Sequence, residues 1–123
     1  MAEKIQKVLV EPRIRLNHGR GFAFGPGKAE LLEYIDCTGS ISGAAKAMGM
    51  SYMRAWTMVK SLDRDFAEPL VLKTRGGRVR GGATLSETGR RVVSIYREME
   101  KASRAATRGA GEKLNELLKA RAK

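Results

Sequence analysis

A mainly helical α+β fold is predicted by three features of the sequence. A period-two apolar segment near the start is broken by glycines, three stretches with helical apolar spacing follow it, and two short β-like segments precede a last long amphipathic helix. The 123 residues suit one ordinary domain with room for a tail. Hydrophobic residues at 42% and charged residues at 30% support a packed core and argue against wholesale disorder.

Each element has its own signal. Ile14 and Leu16 alternate with Arg13, Arg15 and Asn17, and Phe22 and Phe24 resume the alternation after His18-Gly19-Arg20-Gly21. This predicts a short N-terminal β-hairpin over 13–24, bounded by Pro12, with Ile14, Leu16, Phe22 and Phe24 facing inward. Beyond Gly25-Pro26-Gly27 the spacing of Leu31, Leu32 and Ile35 changes the period and predicts a helix over 27–38. Ser42 is read as the N-cap of a short helix that closes at Gly49, and Ser51 as the cap of the next. In that second helix Ala55, Met58, Val59, Leu62 and Phe66 make the apolar stripe, so residues 41–66 form a tight helical corner. After Pro69, Leu70-Val71-Leu72 and Ala83-Thr84-Leu85 predict two strands around a loop rich in glycine and arginine, a wing over 70–85. Ser86 opens a long helix over 86–108, whose stripe of Val92, Tyr96, Met99, Ser103 and Ala106 is as narrow as a coiled-coil seam. Gly109-Ala110-Gly111 is expected to interrupt it, leaving 109–123 as a separate helical tail around Leu114, Leu117 and Leu118, mobile or packed on a partner.

Charge points to the partner. Lys and Arg total 24 against 13 Asp and Glu, a net +11, which calls for a polyanion: nucleic acid first, an anionic membrane second. The single cysteine, Cys37, forms neither an intrachain disulfide nor a CxxC site, and is expected to be a small buried hydrophobe. The single histidine, His18, removes the paired-histidine zinc motifs and reads as an exposed turn residue. No secretory h-region or apolar run of membrane-spanning length is present, so a cytoplasmic protein is expected. Gly76 to Gly82 lacks the Lys-Ser/Thr of a phosphate-binding loop, and Gly19, Gly21 and Gly25 do not make GxGxxG. No catalytic residues, metal ligands or cofactor are expected, and the chain is not read as an enzyme.

The segment from Ile41 to Lys60 meets the requirements of a helix-turn-helix. Ala44 and Ala45 are small where the helices cross, Gly49 lacks a Cβ at the turn, and Met48, Met50, Ala55 and Met58 supply the packing. With the wing, this makes a winged helix-turn-helix that has a short N-terminal β-hairpin and a long C-terminal dimerisation helix. In such a fold the second helix of the corner enters the major groove. Tyr52, Met53, Arg54, Trp56, Thr57 and Lys60 are therefore the candidates for base readout, Arg54 by a bidentate contact to guanine and Met53 or Trp56 against a thymine methyl. A lone tryptophan also suits a core or dimer contact. Ser40, Ser42 and Ser51 at helix starts, and Lys73, Arg75, Arg78 and Arg80 in the wing, are candidates for phosphate contact. A plain N-cap role for the serines and a solvated loop for the basic residues are the alternatives.

Several of these residues occur together in one family. Gly39-Ser40-Ile41-Ser42-Gly43-Ala44-Ala45-Lys46, Met50-Ser51-Tyr52-Met53-Arg54-Ala55-Trp56 and the glycine-rich run through Gly81-Gly82-Ala83-Thr84-Leu85-Ser86-Glu87-Thr88-Gly89 resemble the N-terminal DNA-binding domain of the ModE family of molybdate-responsive regulators. That domain is itself similar to the winged helix of LysR-type regulators. The resemblance runs from about Gly27 to Met99. It implies a homodimeric transcription factor on a palindromic operator, joined through its first and last long helices, with Leu31, Leu32, Ile35, Val92, Tyr96 and Met99 as the interface. Two departures stand out. The sequence stops where that family continues into its molybdate-binding domain, so sensing of an oxyanion by that route is not expected. The wing also carries Val79 and Arg80 where the family is richer in glycine, making it stiffer and more basic. The expected partners are double-stranded DNA and a second copy of the chain, with no membrane and a separate effector subunit left open. The rival readings are a non-specific architectural nucleic-acid binder and, from another class, a protein-interaction module that docks acidic partners.

Overall fold

The computed structural model describes residues 10–17, 19, 21, 23–74 and 82–118. Its elements are β1 (Leu16–Asn17), β2 (Ala23–Phe24), α1 (Pro26–Thr38), α2 (Ile41–Met48), α3 (Tyr52–Asp65), β3 (Val71–Lys73), β4 (Ala83–Leu85) and α4 (Glu87–Leu117). The fold is a mainly helical winged helix-turn-helix with two small antiparallel ribbons, β1 with β2 and β3 with β4.

The hairpin pairs Leu16 with Phe24 and Asn17 with Ala23. Because Leu16 and Phe24 stand opposite each other, the ribbon turns one apolar side inward. Phe24 is fully buried, with Ile14 and Leu16 partly buried beside it. Its ring meets Phe66 at 6.1 Å and Tyr96 at 5.3 Å, both edge-on. Such T-shaped contacts set the positive ring edge against the negative face. One residue of the hairpin thereby ties the end of α3 to α4. Phe22 and His18 lie outside the described residues.

Helix α1 starts at Pro26, whose ring presets the helical φ, and stops at Gly39 in the left-handed conformation, φ 82°. The N-cap of α2 is Ser40, whose Oγ accepts from the Gly43 backbone N–H at 2.8 Å. Ser42 is instead the second residue inside that helix and is exposed. Once Gly39 has ended α1, Ser40 is the residue left in extended conformation, and its hydroxyl sits at the three-residue spacing that an N-cap needs. Helix α2 ends in a Schellman turn: Met50 N–H donates to the Ala45 carbonyl and Gly49 N–H to that of Lys46, with Gly49 left-handed at φ 69°. Ser51 then caps α3, accepting from Arg54 N–H at 3.1 Å.

Ala55, Val59 and Leu62 of α3 are buried on one stripe, with Met58 and Phe66 packed beside them, as the spacing predicts. Ribbon β3–β4 has Val71 opposite Leu85 and Lys73 opposite Ala83. It is anchored to the helical corner by an Ala83 N–H bond to the Gly39 carbonyl and a bridge between Ser40 and Gly82. Ser86 caps α4 through Gly89 N–H and donates its own proton to the Pro69 carbonyl. Gly89 has to be glycine: a Cβ there falls 2.3 Å from the Leu70 carbonyl oxygen.

Two further expectations are corrected. Helix α4 does not break at Gly109-Ala110-Gly111; it runs unbroken to Leu117. Gly111 is buried against Val10, whose side chain occupies the space a Cβ would take. That contact, with a hydrogen bond from the Tyr96 hydroxyl to the Ile14 carbonyl at 2.7 Å, lays the N-terminal segment along α4. Cys37 is exposed, because it lies on the far side of α1 from Leu31, Leu32 and Ile35.

Candidate nucleic-acid interface

The exposed face of α3 begins at its cap. Tyr52, Met53, Arg54, Thr57 and Lys60 are all exposed there, and Met53 retains 63% of its surface. A methionine so open is unusual for a side chain that gains by burial, and it leaves an apolar surface next to polar ones at the end of a helix. The Arg54 guanidinium makes no hydrogen bond or ion pair among the described residues, so its fork of donors is free. Thr57 Oγ1 donates to the Met53 carbonyl at 2.8 Å, which commits its proton inside the helix.

Trp56 departs from this set. It is half-buried, with Lys60 Nζ 5.2 Å and Lys73 Nζ 6.0 Å from its ring centroid. The indole thus links α3 to the base of the wing. Of the wing's basic residues only Lys73 is placed; Arg75, Arg78 and Arg80 lie outside the described residues. Among the three serines, Ser40 and Ser51 spend a hydroxyl lone pair on capping, and Ser42 stands exposed in the first turn of α2.

The interface residues expected for a dimer divide into two groups. Leu31, Leu32 and Ile35 are 0% exposed and Tyr96 is 1% exposed, all inside the chain's own core, so they have no surface to offer a second copy. Val92 and Met99 are partly exposed. The narrow stripe read from the sequence mixes two faces of α4. One face, with Tyr96, Ser103, Thr107 and Gly111, turns toward the body and the N-terminal segment. The neighbouring face carries Ile95, Ala102, Ala106, Ala110 and Leu117, all exposed, with the half-buried Val92 and Met99 in line with them at intervals matching 3.6 residues per turn. Ile95, 49% exposed, lies on this face and was not among the expected interface residues; helical phase measured from buried Tyr96 places it there.

Ion pairs hold the base of α4. Arg97 donates to Glu33 of α1 at 2.6 Å and to Glu100 at 2.7 Å, and Arg90 reaches Asp36. These bonds, that to Glu33 foremost, push the Arg97 pKa up, so it stays charged throughout. Burial, reinforced by the Glu100 charge, raises the pKa of Tyr96. No helix among the described residues is long and apolar enough to cross a membrane.

Comparison with known proteins agrees with this geometry. Residues 28–90 match the family model described as bacterial regulatory helix-turn-helix protein, lysR family. The chain is 38% identical over 105 residues to the molybdenum transport protein ModE of Azotobacter vinelandii, covering 85% of this chain and 39% of that protein. It is 37% identical over 71 residues to the DNA-binding transcriptional dual regulator ModE of Escherichia coli (strain K12), covering 58% and 27%. The chain thus spans well under half the length of these relatives. Among solved structures it resembles the DNA-binding domain in the CbnR_DBD-DNA complex, with a TM-score of 0.53 and 20% identity over 70% of this chain and 94% of that one. Capped helical corner, anchored wing and family model coincide over the same residues, and the chain belongs to the LysR family of bacterial regulatory helix-turn-helix proteins.

Proposed function

We propose that the chain is a sequence-specific, ModE-like transcription regulator of double-stranded DNA that acts as a homodimer on a palindromic operator. The observation that carries this reading is the exposed face of α3. Met53, Thr57 and Lys60 project from one side of a helix whose opposite stripe is buried, with Arg54 beside them, unpaired among the described residues, in a chain of net charge +11. Arg54 reads a guanine, Tyr52 and Met53 meet apolar base edges, and Thr57 takes a hydrogen bond from an amino group. Ser40, Ser42 and Ser51 lie at helix N-termini, where free N–H groups favour phosphate oxygens, and the wing with Arg75, Arg78 and Arg80 follows the backbone.

The open face of α4 supports the dimer. Its Ile95, Met99, Ala102, Ala106 and Ala110 run in one line, and small residues there let two helices approach closely. Kinship with ModE proteins, one of them named for molybdenum transport, supports a link to molybdenum metabolism, and the DNA-binding reading implies a cytoplasmic location.

Selection of sites from a randomised duplex pool, at physiological salt with excess competitor DNA, tests the reading. A two-fold symmetric motif with half-sites about one helical turn apart is expected. Arg54→Ala is expected to relax one base position at a cost of about 1–3 kcal/mol. Tight binding without enrichment assigns the protein to architectural, sequence-blind binding instead.

A further inference from the structure

We propose that Trp56, Lys60 and Lys73 form a binding site for one backbone phosphate of duplex DNA, with the two ammonium groups as its ligands and the indole as the positioning residue. The site rests on the DNA-binding reading above and gives Trp56 and Lys60 a role different from base readout.

Two positive charges from different elements converge on one aromatic ring. Lys60 lies one turn beyond Trp56 on α3, and Lys73 ends β3, yet their Nζ atoms stand 5.2 and 6.0 Å from the same centroid. Neither ammonium forms an ion pair or hydrogen bond among the described residues. Like charges drawn to one ring repel each other, and the ring's quadrupole offsets only part of that. An anion accepting from both would supply the counter-charge, and the two non-bridging oxygens of a backbone phosphodiester suit two donors arriving from different directions.

The indole supplies what two flexible lysines lack. Both side chains carry several free torsions, and ordering them at the moment of binding is a cost that a pre-set ring contact removes beforehand. Trp56 is itself half-buried, which fixes the ring. Its position is where α3 meets the wing, so a strand bordering the groove that α3 enters passes between the two lysines. A phosphate held here sets the depth and register of α3 without reading sequence.

The test uses the full chain, a duplex of scrambled sequence and the duplex recovered by selection, each titrated over a range of salt concentrations. The double variant Lys60→Gln/Lys73→Gln is expected to reduce the slope of log affinity against log salt by about 0.9, the share of one phosphate, and each single variant by less, equally on both duplexes. Trp56→Leu, with both lysines retained, is expected to weaken binding about five-fold, Trp56→Phe to restore most of that loss, and neither to alter the preferred bases. Trp56 is the chain's single tryptophan, so its emission reports the site directly; duplex binding should change it in the wild type and not in the double lysine variant. The two lysines are exposed, and their variants keep the test sound even if Trp56→Leu fails to fold. An unchanged salt slope in the double lysine variant, or a changed base preference in Trp56→Phe, overturns the phosphate site while leaving the regulator reading intact. A wild-type chain that binds no duplex at any salt overturns both.

Discussion

Thr57 carries a constraint that its neighbours on α3 escape. Its proton is given to the Met53 carbonyl, so its oxygen can only accept. In the major groove the donors are the amino groups of cytosine and adenine, whereas guanine O6 and thymine O4 need a proton that Thr57 has already committed. Thr57→Val, close in shape, is expected to lower preference for cytosine or adenine at one position by about 1 kcal/mol, read by competition between single-substituted duplexes. Loss at a guanine or thymine instead refutes the assignment. Gly89 is constrained by space: Gly89→Ala places a Cβ against the Leu70 carbonyl and is expected to destabilise the fold by about 1–3 kcal/mol in urea melts. Residues that obey one local rule were the readable ones. Ala55, Val59 and Leu62 follow helical spacing and are buried. Cys37 was misjudged because the tendency of cysteine to be buried was set above its own helical phase. Ser42 was misjudged because two serines precede Gly43, and only the stop at Gly39 decides between them.

Among the elements, α4 was the hardest to read. Two glycines within three residues argue for a break, at about 1 kcal/mol each, but Val10 packs on Gly111 from nearly the other end of the chain. No window of local sequence contains that contact. The same segment explains why Tyr96, read from the sequence as part of an open seam, is buried: the segment covers it, leaving Ile95 and Met99 as the more open neighbours. Ile95→Glu is therefore expected to shift a dimer toward monomer in sedimentation velocity while leaving the helical circular-dichroism signal unchanged. A dimer that persists moves the contact away from this face. By contrast, the ribbon β3–β4 and the corner α2–α3 were legible because apolar spacing, the turn at Gly49 and the cap at Ser51 mark them.

At the scale of the whole molecule, Tyr96 joins the N-terminal segment, the hairpin and α4 through one hydroxyl and one ring. Burial and the Glu100 charge hold its pKa above the ordinary value near 10, with Arg97 and Arg13 opposing them. A raised folded-state value favours the folded protein fully below about pH 10, and that contribution is lost as pH rises through the folded value. Urea melts between about pH 9 and pH 11 are expected to show this loss in the wild type and not in Tyr96→Phe; identical pH dependence in the two refutes it. The continuity of α4 has a further consequence for spacing. Its 31 residues extend about 46 Å, a stiff rod fastened to the reading head at one end by Arg97 and Glu33. When two such rods pair along Ile95 to Leu117, a slip of one heptad carries one head about 10 Å past the other, close to three base-pair steps. In the proposed dimer the distance between half-sites therefore measures the register of the two rods, like a ruler laid against them.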